Sequence, residues 1–359
     1  MPQNAQQKLK SVLDLTIDQN ASDLHLSEGM PPVLRISRQL VHMTREKALS
    51  KEDVAELSQA LLTPVQQGKL EKDRDVDFSY KHEERARFRV NIFYQQDSLS
   101  IVLRLIPTQI RTLEELGLPP ILHRFAEITQ GFVLVTGPSS HGKSTTLAAL
   151  IDEINHTRAS HIITIEDPIE YVFKQDKSII DQREVFQDAT SFERALRATF
   201  RQDPDVIMVG EMRDPETIAT AISAAETGHL VFATLHTNSA SQSMHRILDS
   251  FPPEQQAQVR AQLASSLSGI VSQRLVPGMK GELVPAVEVL FSTPAVANLI
   301  RENKAHEIPF VIETSAAEGM ISLNRSLAAL VRAGKITIEN AMAYSLDSNE
   351  LRKLVKTRW

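Results

Sequence analysis

Gly137-Pro138-Ser139-Ser140-His141-Gly142-Lys143-Ser144 spells GxxxxGK[ST] between the apolar run Phe132-Val133-Leu134-Val135 and the helix-forming stretch Thr145-Thr146-Leu147-Ala148-Ala149-Leu150. Strand, turn and helix in that order make a phosphate-binding loop. Backbone N–H groups turn inward around phosphate oxygens, and the helix N-terminus adds its partial positive charge. Residues Gly137 to Thr145 are therefore the expected nucleotide cradle. Lys143 is expected to reach the β- and γ-phosphates, and Ser144 to place its hydroxyl on Mg²⁺. On this evidence the ligand is a nucleoside triphosphate, ATP or GTP.

Outward from the loop, short apolar strands alternate with helices at 132–136, 161–165, 206–209 and 230–234. That alternation predicts an α/β fold with a parallel sheet covered by helices. Val206-Ile207-Met208-Val209 reads as a strand buried on both faces. After about residue 290 the pattern turns helical, with amphipathic stretches at 322–333 and 338–346. The first hundred residues look different: a helix over 9–17, strands at 22–26 and 33–36, a polar helix over 50–70, and a hairpin of 86–94 with 98–106. Prolines at Pro107, Pro119 and Pro120 mark a linker. The expected layout is a mixed α and β domain over 1–106, a linker over 107–120, a nucleotide-binding core over 121–290 and a helical region over 291–359.

Composition bounds the function. With 42% apolar and 23% charged residues, the 359-residue chain is an ordinary globular protein and long enough for more than one core. Its net charge of −6, from 39 basic and 45 acidic residues, weighs against a general nucleic-acid binder. The absence of cysteine excludes disulfides, thiolate zinc sites and cysteine nucleophiles. Met1-Pro2-Gln3-Asn4-Ala5-Gln6-Gln7 lacks the regions of a signal peptide, and no run approaches eighteen apolar residues, so a cytoplasmic location is expected.

Other chemistry clusters at strand ends. A triphosphate site needs a carboxylate to organise Mg²⁺ through its water shell, and Glu211 follows the strand Val206 to Val209. Glu166 and Asp167 end another strand, where ligands of parallel sheets bind; Glu166 is the expected base, whereas Asp167 serves equally as a helix cap and Glu170 as solvated charge. His229 and His236 bracket the strand Leu230 to Leu235. Two histidines there suggest a γ-phosphate sensor, with His229 the first candidate and His236 open to either a sensor or a structural role. Arg85, Arg87 and Arg89 lie near the first strand of the proposed hairpin, Arg104 lies on its second strand, and Arg197 and Arg201 lie one helical turn apart. An arginine delivered across a subunit boundary would make hydrolysis depend on assembly. Arg87, Arg89 and Arg104 are the candidates named for that role.

Three segments, Ile163 to Glu170, Arg201 to Asp214 and Glu226 to Thr237, resemble the Asp box, Walker B box and His box of secretion-superfamily ATPases. Ala21-Ser22-Asp23-Leu24-His25-Leu26 and Gln182-Arg183-Glu184-Val185 extend the resemblance nearly end to end. It is strongest to the twitching-motility ATPases that retract type IV pili. The resemblance implies a homo-hexamer whose subunits join an N-terminal PAS-like domain to a RecA-like domain and use ATP with Mg²⁺. It further implies work on an inner-membrane pilus platform protein, a peripheral location there, no nucleic-acid partner and, in some systems, a paralogous retraction ATPase alongside. By resemblance Glu166 is the catalytic acid of the Asp box, Glu211 the Walker B carboxylate and His229 the His-box residue. The alternatives are an accessory retraction ATPase, a pilus-assembly or type II secretion ATPase, a nucleic-acid pump, and a non-hydrolysing ring scaffold. Assembly ATPases typically add an N-terminal domain and a four-cysteine zinc module, and this sequence has no cysteine.

Two departures from the family stand out. Its phosphate loop usually has glycine at Ser140 and a small residue at His141, so slower or pH-dependent turnover is expected. The retraction motif Ala-Ile-Arg-Asn-Leu-Ile is here Ala295-Val296-Ala297-Asn298-Leu299-Ile300, without its arginine. That departure, with the tail from Asp347 to Lys356, favours the accessory alternative.

Overall fold

The computed structural model describes residues 2–36, 39–44, 46–83, 85–106 and 109–356. They form two compact units, Met1–Gln109 with Pro168–Val172, and Ile110–Asp167 with Phe173–Trp359. Met1 of the N-terminal stretch and Pro107 of the expected linker lie outside the described residues. Farther along that linker, Leu113 and Leu118 are buried.

In the first unit, α1 (Pro2–Asp18) turns Leu9, Val12, Leu13 and Thr16 inward at helical spacing. Six antiparallel strands follow the spatial order β3-β2-β1-β6-β5-β4. They are β1 (Asp23–Ser27), β2 (Val33–Ile36), β3 (Gln39–His42), β4 (Asp75–His82), β5 (Ala86–Gln95) and β6 (Ser98–Ile106). The β5–β6 hairpin turns at Gln96 and Asp97, both left-handed at φ 45° and 61°, as a two-residue turn matched to strand twist requires. The single polar helix expected over 50–70 is instead two helices, α2 (Lys51–Leu61) and α3 (Pro64–Asp73). Pro64 holds the preceding residue extended, and Thr63 caps the new helix in a reciprocal pair with Gln66.

The second unit is built on seven strands in the order β13-β12-β7-β11-β10-β8-β9. These are β7 (Gly131–Thr136), β8 (His161–Glu166), β9 (Ile179–Glu184), β10 (Val206–Val209), β11 (Leu230–Leu235), β12 (Leu267–Pro277) and β13 (Leu283–Phe291). All pairings are parallel except the edge pair β12–β13. Every residue of β7, β10 and β11 is buried, which explains their unbroken apolar runs. Helices between strands are α4 (His123–Glu127), α5 (Lys143–Thr157), α6 (Phe192–Thr199), α7 (Pro215–Glu226), α8 (Ala240–Leu248) and α9 (Pro253–Ser266). After β13 come α10 (Pro294–Arg301), α11 (Ile308–Thr314), α12 (Leu323–Arg332), α13 (Ile338–Tyr344) and α14 (Ser348–Lys356). Leu323 and Leu327 of α12, Ala341 of α13 and Leu351 of α14 share one core with Val276, Val284 and Ala286 of the β12–β13 hairpin. The chain after 291 is thus packed onto the sheet rather than forming a core of its own.

Candidate nucleotide site

The phosphate loop leaves the C-terminal end of β7 and lies against β12. At Gly137 (φ 148°) a Cβ would sit 2.3 Å from the Gln273 carbonyl oxygen, and at Gly142 (φ 80°) 2.8 Å from Gln273 Nε2. Only glycine fits either place. The buried Gln273 side chain fastens the loop from both sides. Its Nε2 donates to the His141 carbonyl at 2.9 Å, and its Oε1 accepts from Thr146 Oγ1 at 2.7 Å. Ser140 occupies the left-handed region at φ 64° without glycine's freedom.

His141 Nδ1 accepts a 2.9 Å hydrogen bond from the Leu275 N–H. Burial, with the Arg274 and Lys143 charges, holds its pKa below the usual histidine value, so the neutral ring that this bond needs is the favoured form.

Lys143 opens α5 and is itself buried. Its Nζ donates to the carbonyls of Gly137 (2.9 Å) and Pro138 (3.0 Å), and lies 3.5 Å from His236 Nδ1. Ser139 Oγ is 3.3 Å from the same nitrogen. His236 continues the cluster, with Nε2 at 3.6 Å from Glu211 Oε2, while Arg213 Nη2 is paired with Glu211 Oε1. That pairing, together with the nearby Asp167 charge, raises the Arg213 pKa. Glu166 is buried at the end of β8 and accepts from Thr164 Oγ1 (2.6 Å) and Gln182 Nε2 (3.1 Å). The Gly210 N–H donates to Ile165 O at 2.8 Å, drawing the ends of β8 and β10 together.

Expected residues thus fall into two groups. Lys143, Glu211 and His236 meet beside the loop, and Glu166 ends β8 at the same sheet edge. His229 does not join them: it precedes β11, so the parallel pairing of β11 with β7 puts it at the opposite edge, next to Gly131. Seven residue steps at about 3.3 Å each separate it from His236 by roughly 23 Å. There its Nδ1 lies 2.9 Å from the Ala224 carbonyl oxygen, and its ring packs edge-on against Phe200 with centroids 5.9 Å apart. His229 therefore lies away from this chain's own loop, and His236 lies beside it.

Arg85, Arg89 and Arg104 of the first unit hold local partners. Arg104 Nε donates to the buried Asp23 at 2.9 Å, Arg85 pairs with Asp14 and Asp18, and Arg89 Nε lies 4.0 Å from Asp77. In the second unit Arg197 pairs with Glu193 along its helix at 3.0 Å. Asp214 caps α7 through the Thr217 N–H at 2.7 Å.

Among the described residues, no group of three or more histidines and carboxylates could hold a metal. The hydroxyl of Ser144 and the carboxylate of Glu211 are hard oxygen donors. They fit a cation that keeps water and phosphate oxygens in its shell, as Mg²⁺ does. Sequence reasoning missed Gln273, which carries no motif, and passed over Arg213, which stands two residues after the carboxylate it binds.

The family model described as "Type II/IV secretion system protein" matches residues 3–343. The chain belongs to the type II/IV secretion system protein family. Within this family it is 44% identical over 333 residues to the type IV pilus retraction ATPase PilT of Pseudomonas aeruginosa, covering 93% of this chain and 96% of that one. It is 40% identical over 350 residues to the type IV pilus ATPase PilU of the same organism, covering 97% and 91%. A crystal structure of the pilus retraction motor PilT with bound ADP superimposes with a TM-score of 0.88 at 46% identity, covering 96% of this chain and 98% of the other. This secretion-family chain thus has the fold expected from its strand and helix pattern: an N-terminal α+β unit and a P-loop unit with a parallel sheet and C-terminal helices.

Proposed function

We propose that this chain is an ATP-hydrolysing motor that retracts type IV pili and so drives twitching motility. The observation that carries the reading is the convergence of Lys143, Glu211 and His236 beside the phosphate loop, with Glu166 at the same sheet edge, in a chain similar to PilT along nearly its whole length. The loop and Lys143 bind the phosphates. Mg²⁺, held by Ser144 and, through water, by Glu211, would neutralise charge on the phosphate oxygens. Glu166 takes the proton of the attacking water, and His236 senses the γ-phosphate through its contacts with Lys143 and Ser139. The motor works as a ring of six copies in the cytoplasm, attached at the inner membrane through a pilus platform protein. Arg87, Arg89 and Arg104 are its proposed trans-acting arginines, on the strength of family likeness.

The test complements a deletion strain with wild type or Lys143→Ala and scores pilus retraction, alongside ATPase assays of both purified chains. Lys143→Ala should lower turnover by about 100-fold or more and fail to restore retraction; rescue by both would sink the motor reading.

One observation favours a second reading, an accessory ATPase that acts beside another retraction motor. At the position of the retraction motif's arginine, the buried Ala297 lines a cavity of about 450 Å³ with Arg124, Phe125 and Phe291.

A further inference from the structure

Glu211 ends its strand with both carboxylate oxygens engaged, Oε1 by Arg213 Nη2 and Oε2 by His236 Nε2 at 3.6 Å. The two partners of the Arg213 pair differ in surroundings. The Glu211 side chain is 14% exposed and fixed behind β10, whereas that of Arg213 is 72% exposed. Arg213 also lies in the irregular stretch between β10 and α7, so no helix or strand hydrogen bond has to break for it to move. The guanidinium can return to water at little cost, and the carboxylate cannot.

Charge gives the pair a purpose. Glu166, Asp167 and Glu211 crowd one sheet edge, and Arg213 sets a positive charge between Glu211 and Asp167 there, where a polyphosphate would enter. We propose that Arg213 is a resident counter-ion of Glu211 that Mg²⁺ displaces when nucleotide binds. It is a positioning residue, holding Glu211 neutralised and aimed until the metal takes over. The inference rests on the reading of Glu211 as the carboxylate on the Mg²⁺ side. Because the pair is exposed on one side, displacing it should weaken Mg²⁺ binding by about two- to fivefold.

Binding of a fluorescent ADP to the full chain, titrated with Mg²⁺ from an EDTA baseline, reads the exchange without any turnover. In Arg213→Gln the half-saturating Mg²⁺ concentration should fall about two- to fivefold, while affinity for metal-free ADP does not tighten. Arg213→Lys, which keeps the charge and loses the planar fork, should lie between the two. An unchanged or raised half-saturation in Arg213→Gln overturns the proposal while leaving the site reading intact. ADP binding by wild type that ignores Mg²⁺ would overturn both.

Discussion

At Ser140 the backbone enters the left-handed region that glycine usually fills, at a cost of about 1 kcal/mol. The next residue offsets that strain with two anchors, the His141 carbonyl on Gln273 and the His141 ring on Leu275. The ring anchor depends on pH in a defined direction. Since the folded chain holds the His141 pKa below the ordinary 6.5, its contribution to stability is whole above pH 6.5 and is lost as pH falls through the lowered value. The change therefore belongs below pH 6.5. His141→Asn replaces the ring with a side chain that accepts without titrating. Wild type should lose about 2 to 4 °C more in melting temperature than His141→Asn between pH 7.5 and 5.5; parallel losses would refute this role.

At the scale of elements, β12 does for the loop what no residue of the loop does for itself. Gln273→Ala would strip partners from the Thr146 hydroxyl and the His141 carbonyl at once and leave a void beside α5. We expect a loss of about 2 to 4 kcal/mol in denaturant unfolding and weaker ADP binding. Equal stability would show that the loop holds its shape without β12. This strand was also the least legible part of the core: Ser272, Gln273 and Arg274 interrupt its apolar pattern, and two of those three interruptions are hydrogen bonds to the site. Edge strand β9 was hidden in the same way, by exposed Ile179 and the polar run Asp181 to Glu184. By contrast, β7, β10 and β11 were readable because burial on both faces leaves mostly apolar residues, with only Thr136 and Thr234 polar among them. Glu166 and Glu211 were readable because they end such strands. The positions of the two histidines follow from the sheet rather than from residue type. In a parallel sheet the phosphate loop follows its strand, so the residue after a neighbouring strand meets it and the residue before does not.

For the whole molecule, the sharpest question is whether it moves a pilus alone. Ala297 lines the cavity beside Arg124, so Ala297→Arg tests whether the missing arginine separates the two retraction readings. In a strain lacking other retraction ATPases, an accessory protein should gain retraction from this change while its ATP turnover stays within about twofold. Retraction by the unmodified chain would remove the accessory reading. Strand β11 joins the two edges of the second unit's sheet, with His236 at one end and His229, packed on Phe200, at the other. It is in register with β7 on one side and β10 on the other, so it cannot creep along its own axis. The smallest slip that keeps each side chain on its own face is two residues, about 6.6 Å. A strand held on both sides would answer a push at its His236 end together with its neighbours rather than by a local stretch.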